Sequence, residues 1–427
     1  MMMDIQVSSL ANGIRVATSA MPHVQSVALG VWVGVGARYE TREFCGISHF
    51  IEHLLFKGTA RLSARAISQA IEGRGGYCNA FTQEELTCYY ARTSANHVWS
   101  VLGILTEMFR HPRFAPADIE KERGVIIEEI MMYRDQPEQV VHEMLNAALW
   151  QDHELGRPLI GYPETLRGLR RRQILNFKNT KYAPQKTVFV FAGHIKHEEC
   201  VRWVEKLTGG VPRARAPTYQ MVSAAVSQQR LSLKAKDIEQ TQMALGFRIF
   251  GRNDPRRYVL KLLNVILGEN MSSRLFQVVR EKHGLAYAIH SSAHLFAETG
   301  DFVISAGLDR KRDRKALDLV AREIRRIKQQ PVTRSELKRA KEYVLGQIRL
   351  GLESPAGHMM WVGDHVLNYG AVITPEAMIA ELQAVQADDI QALANALFRE
   401  RKTSLAWLAP GATDRDGERL KELLAEM

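Results

Sequence analysis

Val27-Ala28-Leu29-Gly30-Val31-Trp32 has a near copy in Met243-Ala244-Leu245-Gly246-Phe247-Arg248, which begins 216 residues further along the chain. At the same offset of 216, Thr187-Val188-Phe189-Val190-Phe191-Ala192-Gly193 faces Thr403-Ser404-Leu405-Ala406-Trp407-Leu408-Ala409, and an amphipathic helical stretch follows each. Two matches at one spacing, near opposite ends of each half, point to a duplicated domain. The second copy runs to Met427, whose counterpart is Val211, and Pro212, Pro217 and the polar run Ser223 to Gln229 read as a linker. The chain therefore divides into a first domain at 1–211, a linker at 212–229 and a second domain at 230–427.

Within the first copy, Val27, Leu29, Val31, Val33 and Val35 alternate with Ala28, Gly30, Trp32, Gly34 and Gly36, the period of two that marks a strand. Helical periodicity follows over Gly46 to Phe56, Ala64 to Glu72, Ala95 to Arg110, Ala117 to Arg134 and Glu138 to Leu149. Further strands are expected at Gly76 to Phe81, Thr87 to Arg92 and Thr187 to Ala192. Strands grouped with long helices predict an α+β fold: two tandem homologous domains, each a mixed β-sheet covered by α-helices.

At 427 residues the chain is too long for one ordinary core. Its 46% hydrophobic and 24% charged composition is that of a globular protein. The longest nearly apolar stretch, Val27 to Ala37, has 11 residues, about half of what a membrane-crossing helix needs, so no membrane association is expected. Cys45, Cys78, Cys88 and Cys200 lack CxxC spacing and are too few to staple the chain, which fits a reducing compartment. Met1 to Gln6 reads neither as a secretory signal nor as a presequence, and a cytoplasmic location is expected. The net charge of +10 is spread over helical segments that also carry Glu and Asp; solvated helix faces explain it without a nucleic-acid partner.

His49-Phe50-Ile51-Glu52-His53 lies in a helical stretch, where residues four apart share a face, so both imidazoles can reach one ion. Glu52 sits about 60° off that face and can approach a metal-bound water without becoming a ligand. This is the inverted form of the zincin signature, and catalytic zinc wants a third protein ligand from elsewhere. Glu122 and Glu129, seven apart on a second helix, fall within about 20° of one another, whereas Glu128 turns about 100° away. On that face Glu129 is the candidate ligand and Glu122 its neighbour, able to orient a histidine. Cys45 and His49 are also four apart, but no context that would activate a cysteine nucleophile surrounds them.

Gly46-Ile47-Ser48-His49-Phe50-Ile51-Glu52-His53-Leu54-Leu55-Phe56-Lys57-Gly58-Thr59 closely resembles the signature of the pitrilysin, insulin-degrading enzyme and mitochondrial processing peptidase family. Gly75 to Thr82 is similar to the family's substrate-contacting strand, Leu155-Gly156-Arg157-Pro158 to Gly161 to another recurrent stretch, and Ser273 to Phe276 with Arg280 to Tyr287 to its substrate-binding segment. The resemblance implies a zinc endopeptidase, with zinc on His49, His53 and Glu129, Glu52 as base and Glu122 supporting the site. It also implies that Asn79, Ala80 and Phe81 contact the peptide substrate, and that Arg280 and Tyr287 reach from the second domain toward the scissile carbonyl. Without the family, Arg280 reads as a helix-end charge before Gly284 and Tyr287 as a packed strand aromatic.

At the offset of 216, Val265, Gly268 and Glu269 stand where His49, Glu52 and His53 stand, and no histidine occurs between Arg248 and Arg280. One Zn2+ per chain is therefore expected, with the second domain as a substrate-binding wall. Four-domain relatives close a chamber around short or unfolded peptides, so the resemblance implies a homodimer of this two-domain chain. The alternatives are a non-catalytic assembly subunit, which typically has an eroded metal motif, and an active subunit that needs a separate partner.

Overall fold

Six strands form the first sheet: β1 (Asp4–Ser9), β2 (Arg15–Ala20), β3 (Ser26–Val33), β4 (Tyr77–Thr82), β5 (Thr87–Ser94) and β6 (Thr187–Gly193), in the order β1-β2-β6-β3-β5-β4. Five form the second: β7 (Leu231–Ala235), β8 (Thr241–Phe250), β9 (Ala286–Leu295), β10 (Thr299–Leu308) and β11 (Thr403–Ala409), in the order β7-β11-β8-β10-β9. Leaving out β1, the two orders match strand for strand. Each sheet is mixed, with one parallel pair, β2 with β6 and β7 with β11. The computed structural model describes residues 3–223, 230–399 and 403–425. Residues 224–229 of the expected linker, and the terminal Met427, lie outside the described residues.

The repeated segments are the sheet centres. Every residue of β6 and of β11 is buried, as expected of strands covered on both faces. Pairing is not identical in the two copies: Val27 faces Gly193, whereas Met243 faces Trp407, two residues short of Ala409. A shift of two keeps every side chain on its own face, which a shift of one would not.

The chain forms two compact units, one of Met1–Met131, Pro158–Gln220 and Arg349–Thr374, the other of Met132–Arg157, Met221–Ile348 and Pro375–Met427. Each unit thus includes a helix from the opposite half of the sequence. In the first, the Pro355–Tyr369 helix lays Met359, Val362 and Val366 on Ala17, Ala28, Trp32, Val188 and Val190. Trp32 Nε1 donates to Met359 Sδ at 3.4 Å, and Arg15 Nη1 to the Val366 carbonyl at 2.6 Å. In the second, the Pro137–Trp150 helix lays Val141, Leu145, Leu149 and Trp150 on Ala244, Val303, Ala406 and Leu408.

This crossing explains the Ala-Leu-Gly motif shared by the two copies. A Cβ on Gly30 would stand 2.9 Å from Trp32 Nε1 and 3.0 Å from Met359 Sδ, and one on Gly246 would stand 2.8 Å from Leu149 Cδ1 and 3.0 Å from Leu145 Cδ1. Ala28 and Ala244 lie under the same helices. A helix can lie this close to a strand only where side chains are small.

The alternation expected through Gly36 ends at Val33. There the Val35 N–H turns back to the Val33 carbonyl at 2.8 Å, and Gly36 lies so near the Gln83 carbonyl that a Cβ would stand 1.9 Å from its oxygen. All four cysteines are free, and no helix among the described residues is long and apolar enough to cross a membrane.

Gly30→Val and Gly246→Val are each expected to lower stability by about 1–3 kcal/mol through overpacking. Gly346→Ala, inside the Arg334–Gly351 helix with nothing within 4 Å of the added Cβ, is expected to be neutral or stabilising. The urea midpoint separates them: equal midpoints for Gly246→Val and Gly346→Ala would contradict close packing of the crossing helix.

Candidate metal centre

The Ile47–Leu55 helix begins where two glycine backbones cross. Gly46 has φ +93° and Gly161 φ +83°; a Cβ on Gly46 would stand 2.6 Å from the Ile160 oxygen, and one on Gly161 2.5 Å from the Cys45 oxygen. The left-handed conformation and this approach both require glycine. At the helix start, the N–H groups of Gly46 and Ser48 each donate at 2.7 Å to one carboxylate oxygen of the buried Glu40. A carboxylate there satisfies otherwise orphaned donors and complements the positive end of the helix dipole. Ile47, Phe50, Ile51, Leu54 and Leu55 are buried, which fixes the remaining face. His49 and His53 share that face, with ring centroids 4.6 Å apart.

The Pro116–Arg134 helix approaches with Ile119, Glu122, Ile126 and Ile130 buried, spaced by three or four residues along one face. Glu129 Oε2 lies 3.6 Å from His53 Nε2 and 3.9 Å from His49 Nε2. Glu122 is 2% exposed; its Oε2 accepts from His53 Nδ1 at 3.3 Å, and its Oε1 lies 2.9 Å from Lys57 Nζ. With Nδ1–H committed to Glu122, His53 presents the lone pair of Nε2, the tautomer that a metal requires. His49 Nδ1 is buried without a hydrogen-bond partner among the described residues, so packing orients this ring. Burial, reinforced by His53, pushes the His49 imidazole down to about 3, and it stays neutral, the form able to bind metal.

Glu52 stays off the shared face. Its Oε2 accepts from the Thr82 hydroxyl on β4 at 2.6 Å. Burial raises its carboxyl above the ordinary range, against lowering by Thr82 and His53. Glu128 is exposed on another face.

Two imidazole nitrogens and a carboxylate oxygen from two helices converge at separations close to the about 3.4 Å expected when bonds of about 2.0–2.1 Å meet tetrahedrally. The donor chemistry fits zinc, and three protein atoms leave a fourth position for solvent or substrate.

Asn79, Ala80 and Phe81 lie on β4, the end strand of its sheet. Asn79 Oδ1 accepts from the Ala80 N–H at 2.8 Å. Phe81 packs edge-on against Trp32 with centroids 5.7 Å apart. Strand alternation sends it to the face opposite Thr82. Arg280 and Tyr287 belong to the second compact unit, with the guanidinium 4.7 Å from the Phe276 ring and 5.5 Å from the Tyr287 ring. Tyr287 is 77% exposed and is not a packed strand aromatic. Arg280 falls in a π-helical turn, Phe276–Lys282, a rare wide geometry.

At the offset of 216 from Glu52, Gly268 lies against β9: a Cβ there would stand 2.6 Å from Ser291 Oγ. No acidic side chain fits at that point. Lys57, Thr82 and Glu40 are supporting residues that the sequence reading did not single out. Lys57 was findable, since it lies four residues after His53; Glu40 precedes its helix in a loop that carries no periodicity.

The family model described as Insulinase (Peptidase family M16) matches residues 15–162, and the Peptidase M16 inactive domain matches residues 168–344. An uncharacterized zinc protease of Bacillus subtilis is 37% identical over 399 residues, covering 93% of this chain and 97% of the relative. One of Mycobacterium leprae is 36% identical over 397 residues, covering 92% and 89%. The crystal structure of a protease from Helicobacter pylori matches with a TM-score of 0.89 at 20% identity over 96% of this chain and 100% of that one, a likeness of fold.

Glu122→Ala is expected to weaken zinc binding by about 10–100-fold, by freeing the His53 ring. Competition with a chromophoric chelator measures it, and an affinity equal to wild type would remove Glu122 from the site.

Proposed function

The chain belongs to peptidase family M16, and from that premise we propose that it is a zinc endopeptidase that hydrolyses short or unfolded peptides. The observation that carries this reading is the convergence of His49, His53 and Glu129 with Glu52 poised beside them but outside the ligand set. A zinc ion held there supplies a Lewis acid for the carbonyl oxygen and an acidified water.

Glu52 takes the proton from the attacking water and returns it to the departing amine, so one carboxylate serves as base and then as acid. Thr82 holds that carboxylate in place. Along β4 the peptide lies as an added strand, taking main-chain hydrogen bonds from residues 79–81. The Ala80 N–H, now occupied by the side chain of Asn79, is the donor best suited to exchange. Arg280 and Tyr287 are assigned as donors to the oxyanion of the tetrahedral intermediate, a role that suits a guanidinium and an exposed phenol.

In the same reading, residues 1–211 are the zinc-bearing domain and residues 230–427 its copy without the HxxEH ligands. Because one chain carries both the ligand set and the Arg280/Tyr287 pair, the proposed assembly is a homodimer enclosing the substrate. The free cysteines are compatible with a cytoplasmic location.

Glu52→Gln is expected to retain the zinc of this centre and lose about 10²–10⁴-fold in peptide cleavage, measured with a quenched-fluorescence peptide; His49→Ala and Glu129→Ala lose cleavage and the zinc held at this centre. Undiminished cleavage by Glu52→Gln would end this mechanism. Sedimentation of active enzyme as a monomer alone would refute the dimer.

A further inference from the structure

Away from the HxxEH centre, Glu138, His142 and His290 offer ligand atoms that all lie within 4.8 Å of one another. All three belong to the second compact unit. Glu138 and His142 stand four apart on the Pro137–Trp150 helix and share a face. His290 comes from β9, the end strand of its sheet. Across β10, Ser305 pairs directly with His290, and its Oγ lies 2.9 Å from His290 Nε2. Four residue pairs along the same ladder, and on the same face, His294 Nδ1 donates to Asp301 Oδ1 at 2.7 Å. His142 is partly buried, and its ring makes no hydrogen bond to any described residue.

We propose that Glu138, His142 and His290 form a second metal site, for a divalent ion of the zinc class, which pins the first turns of the Pro137–Trp150 helix to the edge strand β9. The donor set is again two imidazoles and a carboxylate, which suits Zn2+ and Co2+ rather than Mg2+ or Ca2+. A spacing somewhat wider than the about 3.4 Å of a bound tetrahedral set is no obstacle, since the His–Glu distances at the first centre are 3.6 and 3.9 Å. Ser305 holds one nitrogen of His290 and leaves the other for the ion, as a supporting hydroxyl does around a metal ligand.

Comparison of the two sheets shows that imidazole and carboxylate donors at this corner are not a requirement of the fold. Tyr77 pairs with Arg92 on β4 and β5, in the places that His290 and Ser305 take on β9 and β10. Around Tyr77, Arg92 and Ser354 at the start of the exchanged Pro355–Tyr369 helix, the first unit has a cavity of about 810 Å³. The same corner of the fold therefore stands open in one unit and carries three convergent metal donors in the other. The pinned helix comes from the first half of the chain and the strand from the second, so an ion here ties together segments about 150 residues apart.

The test uses the full chain carrying His49→Ala and Glu129→Ala, dialysed against Zn2+ and assayed for metal. It is expected to retain about one equivalent and to lose it when His142→Ala or His290→Ala is added. Co2+ substitution is expected to give the visible bands of a low-coordinate N/O site. Glu138→Gln, an exposed change that spares the core, is expected to weaken binding about 10-fold or more and guards against loss of metal through misfolding. Absence of zinc from the His49→Ala/Glu129→Ala chain, or retention unchanged after His142→Ala or Glu138→Gln, would overturn the proposal. Failure of the first centre has a different signature, a wild-type zinc content insensitive to His49→Ala.

Discussion

A single buried carboxylate holds the candidate metal centre together. Glu122 sits in the apolar face of the Pro116–Arg134 helix, and a charge withdrawn from water there must be matched by protein groups. Lys57 and His53 match it, and both belong to the other helix or its immediate continuation. One interaction therefore docks two helices, fixes the His53 tautomer and turns Nε2 toward Glu129. The rest of the site depends on that docking, because Glu129 is a full two turns from Glu122 and shares its orientation only while both remain on one rigid helix.

The sheets supply the second constraint. Small residues at Ala28 and Gly30, and at Ala244 and Gly246, let a helix lie directly on the strand, and in each unit that helix comes from the other half of the chain. Sequence duplication and compact unit are consequently different divisions of the same polypeptide. Duplication preserved strand order, and it also preserved the glycine that admits the crossing helix. Chemistry diverged on the helices: Glu52 accepts from Thr82 in the first copy, whereas Gly268, at the offset of 216, leaves no room for a side chain beside Ser291.

Much of this was legible in one dimension because its periodicities are local. The Ala64–Glu72 helix has the bounds that its pattern predicts, and the helices carrying the histidines and glutamates lie within a residue or so of expectation. A spacing of four put both imidazoles on one face, and a spacing of seven put Glu122 and Glu129 on another. Where local pattern misled, a tertiary contact explains it: the valine alternation runs to Gly36, yet the strand stops at Val33 because the Gln83 carbonyl occupies the path. Glu40 was invisible for a related reason, since a capping carboxylate reached through a loop has no fixed spacing to the helix it serves.

From the residues alone came the duplication, the mixed sheets under helices and the candidate ligand set, since each is written in repeats of two, of three to four, or of 216 residues. Tertiary structure alone decided which sheet each crossing helix covers, that Lys57 and His53 share one buried charge, and that His142 and Glu138 meet His290. Those are meetings between segments tens to hundreds of residues apart. Their geometry is set by packing volume and by the cost of burying charge, neither of which has a period along the chain.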